Sequence, residues 1–359
     1  MNVAIAGGGT GGHLFPGLAV ARLLRRHHPD ASIFFLGAER GIEARVVEPA
    51  GFELVCQPLQ PLAGRNPRAA AGALLSVARA ALGARRELKS RGCGVLLGLG
   101  GYASAAGVLG ARLAGLPVVL LEQNRKPGLT NKLLARAAAR VCTSFEESAD
   151  AFPAGRCSWT GNPLREGLDL ADGAESKDRG DTLLVLGGSA GAVSLNRAVT
   201  TALASISSRV QLPPILHQAG ETGLDETRAA YQAASIEARV VPFIEDMAAA
   251  YSGARMAVCR AGATTVAELL ATATPSLLLP YPWAADDHQS ANAAALEELG
   301  AAITVVDDEH AAAATAQHLL GLLSEDDGLD SMVQSARKSA RPGAGERVLK
   351  VIEEVLAVS

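Results

Sequence analysis

The chain has 359 residues, 48% of them hydrophobic, and a formal net charge of −4. Those values fit a globular protein long enough for two domains with real cores, and they argue against a general nucleic-acid binder. No run of about 18 uninterrupted apolar residues occurs, so no bilayer span is expected. The opening Met1-Asn2-Val3-Ala4-Ile5-Ala6-Gly7 lacks a basic region followed by a signal-length apolar core. The five cysteines, at 56, 93, 142, 157 and 259, show no C-x-x-C spacing, as expected of reduced thiols in a reducing compartment.

The two halves share one grammar: a short apolar strand, a glycine-rich turn, then a helix. In the first half this reads Val3–Ala6, Gly7–Gly12 and a helix through Ala19 to Arg26. Further strands are predicted at Ser32–Leu36, Gly94–Leu97, Val118–Leu121 and Arg140–Thr143. Gly161-Asn162-Pro163 is the expected junction, and Asp172–Asp181 reads as a polar loop. In the second half the unit recurs as Thr182–Leu186, Gly187-Gly188-Ser189-Ala190-Gly191 and a helix through Leu195 and Val199. Strands follow at Ile215–Gln218, Ala238–Val241, Met256–Cys259 and Ser276–Leu279. Arg341–Gly345 breaks the chain before an amphipathic helix over Glu346–Val358. Short apolar runs separated by helices indicate α/β domains with parallel sheets covered on both faces. The repetition predicts two doubly wound domains, 1–162 and 163–342, facing each other across a cleft. Ligands in such sheets bind beyond the carboxyl ends of the strands.

Gly7-Gly8-Gly9-Thr10-Gly11-Gly12 satisfies G-x-G-x-x-G, the dinucleotide pattern. The ribose-holding acid that should end the second strand is absent there: the strand ends at Gly37, and Glu39 comes two residues late. Glycines also let a backbone approach an anion at a helix N-terminus, so an acceptor pyrophosphate suits the loop. His13 follows at once. A histidine there is either structural or a general base, since imidazole titrates near neutral pH.

Gly7–Ala19 resembles the signature of the MurG family. Seven further blocks follow in family order: Gly98–Tyr102, Glu122–Asn124, Gly161–Arg165, Gly187–Ser189, Phe243–Met247, Cys259–Glu268 and Asp287–Ala293. The resemblance implies a GT-B fold, two facing Rossmann-like domains, with a final helix (343–359) returning to the first. It implies inverting transfer of N-acetylglucosamine from UDP-GlcNAc to the undecaprenyl-pyrophosphoryl-MurNAc-pentapeptide acceptor, converting lipid I to lipid II. It also implies work at the cytoplasmic face of the bacterial plasma membrane.

On that reading Gly9, Thr10, Gly11, Gly12, His13, Gly101 and Tyr102 belong to the acceptor site. The donor residues are Thr10, Gly11, Gly12, Asn124, Arg165, Ser189, Ile244, Ala263, Thr264, Thr265, Val266, Ala267, Glu268 and Gln289. The Gly187-Gly188-Ser189 turn can hold a diphosphate, though by itself it reads equally as a tight turn. The family has glutamine where Ala190 stands, so one amide contact is missing. Glu268 can accept two ribose hydroxyls or sit as an ordinary helix glutamate. Ile244 reads uracil through its backbone in the family. Arg165 clamps the diphosphate or lies solvated. Ala263–Ala267 start a helix whose amides face phosphate or nucleoside, and the amides of Asn124 and Gln289 suit sugar hydroxyls and the acetamido group.

Inverting transfer needs a base, a tolerated oxocarbenium-like centre and a stabilised leaving group. No D-x-D or zinc spacing occurs, so no metal is expected to be obligatory, although Mg²⁺ can accompany the diphosphates. Arg65–Arg91 holds seven basic residues (65, 68, 79, 85, 86, 89, 91) against Glu87 alone. Leu74, Leu75, Ala78, Ala81 and Leu82 recur among them at helical spacing. This stretch is either a helix packed on the sheet or a contact for an anionic inner-leaflet membrane surface. A UDP-GlcNAc 2-epimerase and a non-catalytic nucleotide-sugar-binding protein are the alternative functions.

Overall fold

The structure, a computed structural model, describes residues 1–38, 42–57, 67–168, 180–188 and 191–358, with the side chains of 67–71, 73, 74 and 285 excepted. The chain divides into two compact units, Met1–Arg165 with Gly343–Ser359, and Glu166–Pro342. The boundary thus falls after Arg165, three residues beyond the expected junction. Most of the predicted 172–181 loop lies outside the described residues.

The first unit holds β1 (Asn2–Ala6), β2 (Ser32–Ala38), β3 (Glu53–Gln57), β4 (Val95–Gly98), β5 (Val118–Glu122), β6 (Arg140–Thr143) and β7 (Cys157–Trp159). They form one sheet in the order β3-β2-β1-β4-β5-β6-β7, with every pairing parallel. Its helices are α1 (Gly11–His27), α2 (Glu43–Val46), α3 (Pro67–Ser90), α4 (Gly101–Ala114) and α5 (Leu129–Leu134).

In the second unit β8 (Thr182–Leu186), β9 (Ile215–Gln218), β10 (Arg239–Val241), β11 (Ala254–Cys259), β12 (Ser276–Leu278) and β13 (Ala302–Thr304) pair in the order β10-β9-β8-β11-β12-β13, again all parallel. The accompanying helices are α6 (Val193–Ile206), α7 (Leu224–Ala233), α8 (Met247–Ser252), α9 (Ala263–Ala271), α10 (His288–Glu298), α11 (Ala311–Ser324) and α12 (Asp326–Ser339). The last helix, α13 (Ala344–Val358), belongs to the first unit.

Alternation along each strand explains the two-sided cover. Val3 and Ile5 of β1 point into a core with Leu14 and Leu18 of α1 and with Val348 and Ile352 of α13. Ala4 and Ala6 point the other way, toward Ala84 and Leu88 of α3 and Val108 and Ala111 of α4. Both faces are apolar because both are covered. Close approach on the α4 side depends on missing side chains. A Cβ at Gly107 would collide with Ala6, and one at Gly110 would sit 2.7 Å from the Ala81 carbonyl of α3. On the other face, α13 is held by its apolar stripe, by Arg347 donating to the Thr160 carbonyl at 2.8 Å, and by contacts of His27 with Glu346 and His28 with Glu353.

The sequence reading found the interior strands and missed β3, β7 and β13. All three are sheet edges. An edge strand faces solvent along one side, so its residues need not form an apolar run; β3 reads Glu-Leu-Val-Cys-Gln with Glu53 and Cys56 exposed.

One buried group makes the second unit pH-sensitive. His217 of β9 is fully buried, with Nδ1 2.9 Å from the Tyr231 hydroxyl and Nε2 3.1 Å from Asn196 Oδ1. Burial disfavours the charged ring and lowers its pKa to about 3. The unfolded state therefore binds an extra proton between roughly pH 6.5 and 3. Stability from the neutral ring is complete above that window and is lost as pH falls through it, by up to about 1.4 kcal/mol per pH unit. Melting of the wild type and His217→Gln from pH 7.5 to 5 should show a wild-type advantage that shrinks with acid. A constant difference would refute the assignment.

Candidate functional site

Strand order reverses between β1 and β4 in the first unit and between β8 and β11 in the second. At such a switch point the loops leaving the two strands diverge to opposite faces and leave a crevice at the carboxyl edge. Most of the predicted residues lie at these four loop sites, whereas Asn124 follows β5, Arg165 follows β7, Ile244 follows β10 and Gln289 begins α10. Gly7–His13 follows β1, Gly100–Tyr102 follows β4, Gly187-Gly188 follows β8, and Arg260–Glu268 follows β11.

In the first unit Thr10 is the N-cap residue of α1 but makes no capping bond with its side chain. Its hydroxyl lies 2.8 Å from His13 Nδ1 instead. The opposite edge of the ring faces the next loop: a Cβ at Gly100 would lie 3.5 Å from His13 Nε2. Gly100 and Gly101 have φ of +87° and +71°, left-handed values suited to glycine that let α4 begin beside the imidazole. When Nδ1–H donates to Thr10, Nε2 carries the lone pair a base requires. Tyr102 stands next to Gly9, with a Cβ there 3.7 Å from its ring, and burial together with the charge of Glu43 raises its phenol pKa.

Glu43, which the sequence reading did not single out, sits under the first glycine turn. It is fully buried, and its Oε1 accepts the Gly9 N–H at 2.9 Å. Its Oε2 is buried with no hydrogen-bond partner among the described residues. A Cβ at Gly8 would overlap this carboxylate. The Gly9 amide is therefore engaged from inside. The start of α1 at Gly11 and Gly12 is where the expected helix N-terminus lies.

A second buried acid shapes the loop after β5. Glu122 accepts from the N–H of Asn124 at 3.0 Å, the N–H of Gly128 at 3.1 Å, and the side-chain amides of Asn131 at 2.9 Å and Asn124 at 3.3 Å. Burial raises its pKa, and these four bonds oppose the shift. Asn124 is thus held at the carboxyl end of β5. Asn131, whose amide nitrogen a Gly100 Cβ would meet at 3.1 Å, ties this loop to the one facing His13. Arg165 lies in the same unit, its guanidinium stacked 3.7 Å over the ring of Phe15 in α1.

In the second unit the first turn of α9 is Ala263, Thr264 and Thr265, entered through extended Gly262, which has no side chain to cap them. Val266 points into the core, so any ligand contact there is through backbone, as at half-buried Ala267. Glu268 is buried one turn on, and its Oε2 accepts the Tyr251 hydroxyl at 3.1 Å. Ile244 is also buried, and its N–H donates to Gln218 Oε1 at 2.9 Å. Base recognition through that amide is therefore already spoken for, which narrows the expected backbone reading to the carbonyl. Gln289, in the first turn of α10, accepts the Tyr281 N–H at 3.0 Å. The chain enters α10 through Asp286 and Asp287 at φ +54° and +56°, a strained backbone of the kind retained where a side chain must be aimed. Ser189 and Ala190 lie outside the described residues.

Beneath these loops Arg260 forms a buried ion pair with Asp307 at 2.7 Å, and donates to Ser194 Oγ at 2.6 Å and the Leu279 carbonyl at 2.8 Å. It joins the loop after β11 to α6 and to the end of β12. Arg260 and Glu122 stood inside recognised blocks without a role. Gln218 ended a predicted strand, and a polar residue at the carboxyl end of a buried strand was the available signal. Glu43 offered none.

Residues 3–143 match the glycosyltransferase family 28 N-terminal domain, and residues 182–348 match its C-terminal domain. A protein of Methylococcus capsulatus named UDP-N-acetylglucosamine--N-acetylmuramyl-(pentapeptide) pyrophosphoryl-undecaprenol N-acetylglucosamine transferase is 42% identical over 98% of this chain and 98% of its own length. The chain belongs to the MurG family of family 28 glycosyltransferases. The crystal structure of Acinetobacter baumannii MurG superposes with a TM-score of 0.77 at 32% identity, covering 98% of this chain and 99% of that one. The architecture is the two-domain GT-B fold. A structure described as a UDP-N-acetylglucosamine 2-epimerase from Listeria monocytogenes, 13% identical with a TM-score of 0.69 over 100% of this chain and 96% of its own, shares the fold alone.

The Glu43 contact makes two positions interdependent. Gly8→Ala should destabilise the first unit because the new methyl displaces the carboxylate, and Glu43→Ala should do so by releasing the turn. In the double variant the methyl occupies the vacated space. The combined loss should fall short of the sum by about 1 kcal/mol or more in denaturant titrations. Additive losses would show that the carboxylate does not support the turn.

Proposed function

We propose that this chain is an inverting N-acetylglucosaminyltransferase. It moves GlcNAc from UDP-GlcNAc to the 4-hydroxyl of the MurNAc residue of undecaprenyl-pyrophosphoryl-MurNAc-pentapeptide, making lipid II from lipid I. The observation that carries this is the 42% identity, over 98% of the chain, to a relative named for that transfer. The switch-point loops supply the groups the chemistry needs.

The acceptor hydroxyl oxygen attacks the anomeric carbon of GlcNAc from the face opposite UDP. The new glycosidic bond forms as the anomeric carbon–phosphate oxygen bond breaks, and that electron pair leaves with UDP. His13 Nε2 takes the hydroxyl proton, its ring held by the 2.8 Å contact with Thr10. Glu268 accepts the ribose hydroxyls, the start of α9 faces the nucleotide, and Gln289 and Asn124 read the sugar. Arg165 and the start of α6 meet the leaving diphosphate. No metal held by this chain takes part in the proposal; Mg²⁺ arrives with the diphosphate as substrate.

The lipid acceptor requires a membrane contact, and no helix among the described residues is long and apolar enough to cross a membrane. The α3–α4 face supplies the contact. Leu75 and Leu82 of α3 are each 53% exposed, and Leu113 of α4 is 55% exposed. Ala78, Arg79, Arg86 and Lys89 share the exposed side of α3, and Arg112 that of α4. The predicted stripe is corrected at Ala81, which is buried, and Arg91 is occupied by Glu53 and Glu87. Arg65, Arg68 and Leu74 lie outside the described residues or side chains. Leucines ringed by bases suit an anionic inner leaflet, which supports the reading of a peripheral enzyme at the cytoplasmic face.

Purified protein with labelled UDP-GlcNAc and a lipid I analogue should release UDP and form disaccharide only when both are present. Product without acceptor, or epimerised sugar, would favour the 2-epimerase. In the same assay His13→Ala should lose about 10²–10⁴-fold in turnover together with the acidic limb of the pH–rate profile. A raised acceptor KM with an intact profile would make His13 a binding residue. Glu268→Gln preserves size and should weaken UDP binding about tenfold or more by calorimetry.

Arg79→Glu with Arg86→Glu should reduce sedimentation with anionic vesicles by about 1 kcal/mol per base removed, and leave turnover on a short-chain soluble acceptor near native. Unchanged vesicle binding would move the membrane face elsewhere.

A further inference from the structure

Gln218 ends β9, the strand that lies between β8 and β10. Its side chain is 4% exposed, and both ends of its amide are engaged. Nε2 donates to the Gly188 carbonyl at 2.9 Å, and Oε1 accepts the Ile244 N–H at 2.9 Å. Its own carbonyl accepts the Gly187 N–H at 3.2 Å. One residue therefore grips the turn after β8 from two sides and the segment after β10 from a third. The turn depends on that grip: Gly188 has φ +81°, and a Cβ at Gly187 would lie 3.2 Å from the Gln218 carbonyl and 2.9 Å from the Ala192 nitrogen.

We infer that Gln218 is a positioning residue that couples recognition of the donor's base to the turn that receives its diphosphate. The inference rests on the donor site assigned above, in which Ile244 faces uracil and Gly187-Gly188 faces the diphosphate. With its N–H held by Gln218, Ile244 presents its carbonyl to the base. A carbonyl accepts from N3–H of uracil and meets only a lone pair at N3 of cytosine. Gln218 thereby sets a preference for UDP over CDP while fixing the turn that the phosphates approach. A carboxamide does both because it carries a donor and an acceptor on one planar group. A carboxylate retains the acceptor toward Ile244 and turns a second acceptor on the Gly188 carbonyl.

The test is calorimetry with UDP and CDP on the full chain, with initial rates on the acceptor analogue. The wild type should prefer UDP. Gln218→Ala should weaken UDP about tenfold or more and bring the two affinities together, with a matching rise in donor KM. Gln218→Glu should weaken both nucleotides and keep their ratio, because only the Gly188 side is broken. If Gln218→Ala does not fold, Gln218→Met, which also removes both ends of the amide but keeps the side chain's length, takes its place with the same expected loss of UDP preference, and an unchanged UDP affinity in it overturns the proposal. Equal weakening of UDP and CDP by both variants also overturns it, leaving Gln218 a structural residue. A wild type that binds UDP and CDP alike removes the base-reading assignment itself, and that result is read without any variant.

Discussion

The constraint on which this protein depends is topological. In each sheet the strand order reverses once, between β1 and β4 and between β8 and β11. Every other pair of neighbouring parallel strands sends its connections over the same face, where they pack together. Only at the reversal do the connections part and leave backbone amides and helix starts uncovered. Both glycine turns, His13, Tyr102 and Glu268 lie on loops or helices that leave those four strands. The alternating burial of β1, with Val3 and Ile5 on one face and Ala4 and Ala6 on the other, keeps the sheet covered on both sides. Ligand groups are thereby confined to the carboxyl edge.

Loops at such an edge are held from below by buried polar side chains. Glu43 holds Gly9, Glu122 holds Asn124 and Gly128, Gln218 holds Gly188 and Ile244, and Arg260 with Asp307 holds Ser194 and the end of β12. Each group gives up hydration when buried and offsets part of that loss by bonding backbone or side chains of the loop it supports, although Glu43 keeps one buried oxygen without a partner among the described residues. The cost of losing one partner is what makes the loop conformation specific rather than one of many. The side chains proposed to face ligands are a separate set, some half-buried like His13 and Gln289 and some buried like Glu268, and they lie on the loops and helices this lower tier supports.

The two tiers differ in how far they could be read from sequence. Interior strands announce themselves as apolar runs, and glycine turns before helices mark the switch points, so the architecture was legible, and most of the expected site residues lie at the carboxyl edges of the strands. The full set of family blocks then gave them roles. The edge strands β3, β7 and β13 were not legible, because a half-exposed strand of three to five residues carries no continuous apolar signal. Nor were the supports. Glu43 follows Gly41-Ile42 and precedes Ala44-Arg45, a context that reads as surface helix, and only the fold reveals that it is fully buried under Gly8. Ala81 shows the same limit in reverse: helical spacing grouped it with Leu75 and Leu82, while the crossing of α3 with α4 turned it inward.

The supports also distinguish two turns that look alike. Under the first glycine turn lies a carboxyl group that occupies the Gly9 amide and packs against Gly8. Under the second lies a neutral carboxamide that donates to the Gly188 carbonyl. The first turn has its Gly9 amide engaged by an acid side chain, whereas the second is held by a neutral amide that donates to its carbonyl. An anion in the first unit is better placed on the start of α1, at Gly11 and Gly12, than on the turn itself. The proposed assignment, with the leaving diphosphate on the second turn and the attacking hydroxyl beside Thr10 and His13, agrees with that difference. That division is the one a sugar transfer needs, because the leaving group must be stabilised as an anion while the attacking oxygen must lose a proton.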